Sequence, residues 1–94
     1  MSNSVNLVFD NTITRLAGFP YGVTIFEEQV KNQIDLNKPC QIVFPNNIKK
    51  IASSFVQGFF SEIVNEVGYA RIEKNVTLIT SSEELTRDIW DKLL

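Results

Sequence analysis

The sequence predicts an α/β domain, a small mixed sheet of about four strands with helices packed on it. Short β-branched runs at residues 5–9, 40–44 and 76–80 alternate with stretches of helical periodicity. Glycine and proline punctuate the junctions between them. Hydrophobic residues make up 44% of the chain and charged residues 21%, enough apolar material for a core without staples. At 94 residues the chain is expected to form one domain over residues 1–94, with no linker, repeat or low-complexity segment.

The elements follow in order. "VNLVF", residues 5–9, reads as the first strand, and Asp10-Asn11 as a turn. Residues 12–16 are rich in β-branched side chains and are expected to return as an antiparallel hairpin partner. "AGFPYG", residues 17–22, reads as a breaker. Val23, Phe26, Val30 and Ile34 then share one face of a first helix. "CQIVF", residues 40–44, is a central strand bounded by Pro39 and Pro45. Val56, Phe59, Phe60, Ile63, Val64 and Val67 form the clearest helical stripe in the chain, and Gly68 is expected to stop that helix in the left-handed conformation. "VTLIT", residues 76–80, is a further strand, parallel to the 40–44 strand if the crossover is right-handed. Ser81 and Glu84 make a capping box that opens a last helix reaching Leu94.

Several function classes are excluded or disfavoured by inventory. There is no histidine, so Ser-His-Asp and Cys-His catalytic arrangements are impossible. One cysteine and no imidazole cannot make a usual zinc site, and neither common phosphate-loop motif occurs. The carboxylate pairs Glu27-Glu28 and Glu83-Glu84 are adjacent, and neighbours on a helix point about 100° apart, so neither pair converges as acid and base. The glycines of "GFPYG" offer a ligand cradle ahead of a helix, but Pro20 removes an amide donor and the loop holds no cation. No enzyme activity, metal or cofactor is therefore expected.

A net charge of −2 argues against nucleic acid, and residues 46–50 hold only two lysines. No run approaches the roughly 20 apolar residues that cross a bilayer, so no membrane partner is expected. The lone Cys40 fits a reducing, cytoplasmic setting and reads as a buried thiol. Residues 1–6 lack the basic-then-apolar pattern of a leader.

The motif with most to say is "IASSFVQGFF", residues 51–60. Ser54 and Gln57 read as a capping box worth about 1 kcal/mol, with Ser54 accepting from the Gln57 amide. Ser53 is left one position outside the helix. Its hydroxyl is either loop filler or a place for a charge, because a helix N-terminus favours a phosphate group.

The run "IKKIASSFVQG", residues 48–58, resembles the signature segment of STAS domains, the fold of anti-sigma factor antagonists. That segment reads apolar, two variable positions, apolar, Asp-Ser-Ser-Gly, then an apolar helix, and it follows a strand. "SSFVQGFF" is more similar still to the STAS-like domain family of unknown function, which carries Ser-Ser-Phe at this helix start. "TRLAGFPYGVTIFEEQV" matches that family's upstream segment, so the resemblance spans residues 14–94. Ala52 stands where the STAS signature has Asp, and Phe55 where it has Gly.

The resemblance implies a STAS-like fold and a non-enzymatic regulatory protein-interaction domain. It implies a partner, a histidine-kinase-like ATPase or another regulator, and a switch by phosphorylation. Ser53 and Ser54 are the candidate phosphoacceptors, and Asn46, Asn47, Lys49, Lys50, Ser53 and Phe55 the candidate partner contacts. The competing reading is a phage or mobile-element protein that binds and blocks a host factor without phosphorylation. The last helix adds one more expectation. Leu85, Ile89 and Leu93 line one face, and Trp90 and Leu94 sit about 100° further round. That second face is either a homodimer seam or pinned in a groove.

Overall fold

Strand pairing is parallel throughout the residues that the computed structural model describes, 3–94. Residues 1–2, the start of the segment read above for a leader, lie outside them. The elements are β1 (Ser4–Asn6), β2 (Arg15–Leu16), α1 (Phe19–Ile25), β3 (Cys40–Val43), β4 (Lys50–Ile51), α2 (Ser53–Val67), α3 (Tyr69–Asn75), β5 (Val76–Ile79) and α4 (Glu83–Leu93). α1 continues as a π-helical turn over Phe26–Val30. One sheet has the order β1-β3-β5, and β2 and β4 form a second, two-stranded sheet. The α/β class is as expected, with β3 central and parallel to β5, Cys40 beside Val76 and Val43 beside Ile79. The sheet composition is not: five short strands in two parallel sheets replace one mixed sheet of four.

The expected hairpin between residues 5–9 and 12–16 does not form. Asp10 turns the chain through its side chain, its Oδ1 accepting from the Thr12 amide at 2.9 Å and the Thr12 hydroxyl at 2.8 Å. These bonds, the backbone one first, hold its carboxyl below the usual range. The turn carries Arg15 and Leu16 away from β1 to lie beside Lys50 and Ile51. Leu16 and Ile51 are both buried there, and burying this apolar pair favours that register.

The breaker expected at residues 17–22 is largely helix. Pro20 sits in the first turn of α1, where its missing N–H costs nothing. Gly22 lies inside α1 and faces Gly58 of α2 across a backbone-to-backbone contact. A Cβ on Gly22 would lie 2.6 Å from the Phe59 nitrogen and strike the Phe55 carbonyl, and one on Gly58 would strike the Phe19 carbonyl. Phe26 and Val30 are buried as the periodicity expects. Ile34 packs beyond the helix, because the π-helical turn ends with Lys31 donating to the Phe26 carbonyl at 3.0 Å.

α2 supplies the core with Val56, Phe59, Phe60 and Ile63, joined by Phe55. Phe59 is fully buried and packs against Phe26, Phe44, Phe55 and Phe60 at ring-centroid distances of 5.1–6.1 Å. Val64 and Val67 are only partly buried at its edge. Gly68 ends α2, but not in the left-handed helical conformation. Its φ of 83° and ψ of 162° make a sharp joint into α3, which periodicity does not reveal because its single buried residue is Ile72. The last helix is capped one residue later than expected. Ser82 accepts from the Leu85 amide at 3.1 Å, while Ser81 donates to the Ile48 carbonyl at 3.0 Å. Among the described residues, no helix is long and apolar enough to cross a membrane.

Candidate functional site

β4 and the start of α2 sit where four cations converge. The β2–β4 register sets Arg15 beside Lys50. The Lys49 and Lys50 amides both bond the Thr14 carbonyl, and the Ala52 amide bonds the Leu16 carbonyl at 2.8 Å, which locks the strand to its neighbour. From α4, Lys92 reaches back and donates to the Ile51 carbonyl at 2.8 Å and to Asp88 at 2.7 Å. Together Arg15, Lys49, Lys50, Ala52, Asp88 and Lys92 line a groove of about 290 Å³. Four of the chain's nine Lys and Arg residues thus meet beside one of its eleven acids, on a chain whose net charge is −2. Such clustering focuses a positive potential that the net charge hides.

The helix start differs from the expected capping box. Ala52 is the N-cap residue, its carbonyl accepting from the Val56 amide at 3.1 Å, so α2 begins two residues earlier. Ser53 is then the first helical residue and Ser54 the second. The Ser54 hydroxyl accepts a hydrogen bond from the Gly18 amide at 2.9 Å, which ties the approach to α1 onto α2. Gln57 does not reach back either; its amide donates to the Lys92 carbonyl at 2.8 Å. No side chain caps α2. Ser53 is exposed, and its hydroxyl bonds no other described residue.

The remaining candidates separate by environment. Asn46 is exposed, whereas Asn47 is structural, its amide donating to the Ile13 carbonyl at 2.7 Å. Lys49 and Lys50 lie in the groove with Ser53 one residue past its Ala52 wall. Phe55 is a correction: it is 1% exposed, stacked on Phe59, and offers no surface to a partner. Trp90 packs against the core with part of its surface open, and Leu94 is 59% exposed, both lining a different groove. Charge counting along the chain missed Arg15 and Lys92 as members of the patch, because only strand pairing and the α4 contact bring them there.

Two other sequence candidates lose their chemical reading. Phe19–Gly22 is helical, and the Gly22 amide bonds the Gly18 carbonyl at 3.1 Å, so the glycines make a helix contact in place of an open cradle. Cys40 is buried on β3. Loss of solvation pushes its thiol up, and the Asp35 charge adds to the shift, both disfavouring the thiolate. No group of potential metal ligands occurs among the described residues.

Comparison with protein-family models, with curated proteins and with solved structures found no match.

Proposed function

We propose that this chain is a STAS-like regulatory interaction domain that docks a partner's acidic segment in the Arg15–Lys49–Lys50–Lys92 groove and is switched by a charge at Ser53. The observation that carries this reading is the free, exposed Ser53 hydroxyl at an uncapped helix start, one residue past the Ala52 wall of the groove that holds four cations. The resemblance of residues 48–58 to the STAS signature supports the same serine. Its residue pattern also makes a kinase-type ATPase the natural source of the phosphoryl group.

The physical logic is competition. An acidic segment gains from the groove because its carboxylates replace water around the cations and the field steers it in. A phosphoryl group on Ser53 carries about −1.5 to −2 charges and strong acceptor oxygens. Placed at the start of α2 it would be favoured by the helix dipole and by Lys49 and Lys50. It would then neutralise the cations the partner needs and release it.

The test is capture by cross-linking from native cells, with wild type and variants as bait, followed by phosphosite mapping of the endogenous protein. One partner should be captured by wild type and by a control reversal of the exposed Lys74, Lys74→Glu, and lost with Lys49→Glu, Lys50→Glu and Ser53→Asp. Capture unaffected by Ser53→Asp would overturn the switch and favour the unswitched blocker of a host factor. Capture unaffected by the lysine reversals would overturn the groove.

A further inference from the structure

β5 is an edge strand of the three-stranded sheet. The Phe44 amide donates to the Ile79 carbonyl at 2.8 Å, which fixes which β5 groups face β3. In a parallel ladder both main-chain groups of alternate residues turn to the same neighbour, so Thr77 and Ile79 serve β3 while Leu78 turns its N–H and C=O outward. The Val76 amide is used by the Ile72 carbonyl, which leaves the Val76 carbonyl on the outer edge. Thr80, the next residue in this alternation, directs its N–H outward as well. The sequence of the edge, Val-Thr-Leu-Ile, has no lysine, proline or bulge of the kind that discourages pairing. The opposite side of the sheet is managed differently: just past β1, the Gln29 side chain bonds both the N–H and the C=O of Val8, at 2.7 and 2.8 Å.

Beside this edge run two adjoining grooves between β5 and α4, of about 620 and 480 Å³. Leu78, Thr86 and Trp90 line both. Ile79 is 40% exposed at one end and Leu94 59% exposed at the other. The two ends also differ in charge. Arg87 lies at the Thr80 end, with Glu83 beyond it at the helix start, and Glu73 lies at the Val76 end. Neither Glu73 nor Arg87 forms an ion pair among the described residues.

We infer that this edge is a homodimer interface, in which β5 of a second copy pairs antiparallel about a two-fold axis at Leu78. The free groups match that operation. The Leu78 N–H and C=O of each copy would serve the other, and the Thr80 N–H of each would reach the Val76 carbonyl of the second copy. The same rotation brings the Glu73 end of one copy to the Arg87 end of the other, so both unpaired charges find partners twice. An isologous contact needs this self-complementarity, and a foreign strand would not require it. Pairing makes one continuous sheet of the two three-stranded ones and covers Ile79, Trp90 and Leu94. The inference does not depend on the basic groove, which is lined by other residues.

Sedimentation equilibrium across a broad concentration range tests it, with wild type, Glu73→Arg, Arg87→Glu and the double variant. All four should show the same circular dichroism, since both side chains are at the surface. Wild type should dimerise. Each single reversal should weaken the dimer by about tenfold, because two symmetry-related pairs turn from attraction to repulsion. The double variant should restore wild-type affinity, since the pairs reform with signs exchanged. A wild type that stays monomeric at high concentration overturns the inference. So does a double variant that remains as weak as the singles.

Discussion

Gly22 on α1 and Gly58 on α2 stand backbone against backbone, too close for a Cβ on either. An ordinary helical glycine replaced by alanine would gain about 1 kcal/mol from helix propensity. Here the sign reverses, because the colliding atoms are main-chain and cannot swing aside. Gly22→Ala is expected to lower stability by about 1–3 kcal/mol, the usual range for overpacking. Urea unfolding measures it, and a stabilised Gly22→Ala would mean that the two helices are further apart.

Phe59 is the ring that the other core aromatics share. Phe59→Ala should cost about 3–5 kcal/mol. A domain of this size has only about 5–15 kcal/mol to lose, so the variant should melt far lower or not fold. An unchanged melting curve would remove Phe59 from the core.

The adjacent serines should behave differently. Ser54→Ala removes the acceptor for the Gly18 amide and should cost about 1 kcal/mol. Ser53→Ala removes no bond among the described residues and should stay within about 0.5 kcal/mol of wild type. Ser53→Asp should fold normally, because a negative charge at the first helical position is favoured by the dipole. Thermal unfolding of the three variants would settle the roles, and a destabilised Ser53→Ala would exchange them.

Cys40 should react slowly with a disulfide reagent in the folded protein and fast once urea unfolds it. Its folded-state value is raised by burial and by Asp35. Its contribution to stability is therefore complete below the unfolded thiol's value. It is lost as pH rises from that value through the raised one, because the unfolded chain ionises first. A Cys40→Ala variant should lose this alkaline dependence, which urea titrations over the alkaline range would show.

Much of this fold is written locally. The stripe from Val56 to Ile63 sets α2 and its buried face, because a 3.6-residue period leaves one side to bury. Cys40 to Val43 and Val76 to Ile79 read as strands for a similar reason, being short β-branched runs between helices. The Ser-Ser pair marks the start of α2 to within two residues.

What tertiary structure decided is which partner each polar group found. Ser54 and Gln57 have the spacing of a capping box, but Gly18 and the Lys92 carbonyl, distant in sequence, took their hydrogen bonds. Gly22 read as a breaker because glycine is costly inside a helix, and only the approach of α2 makes its missing side chain necessary. The hairpin failed because Leu16 is buried beside Ile51 in the β2–β4 register. That same pairing, with α4, drew Arg15 and Lys92 to Lys49 and Lys50. Composition and periodicity mark most of the helices and strands, though not α3 or the first turn of α1, because those elements depend on near neighbours. A surface site depends on residues that folding alone brings together.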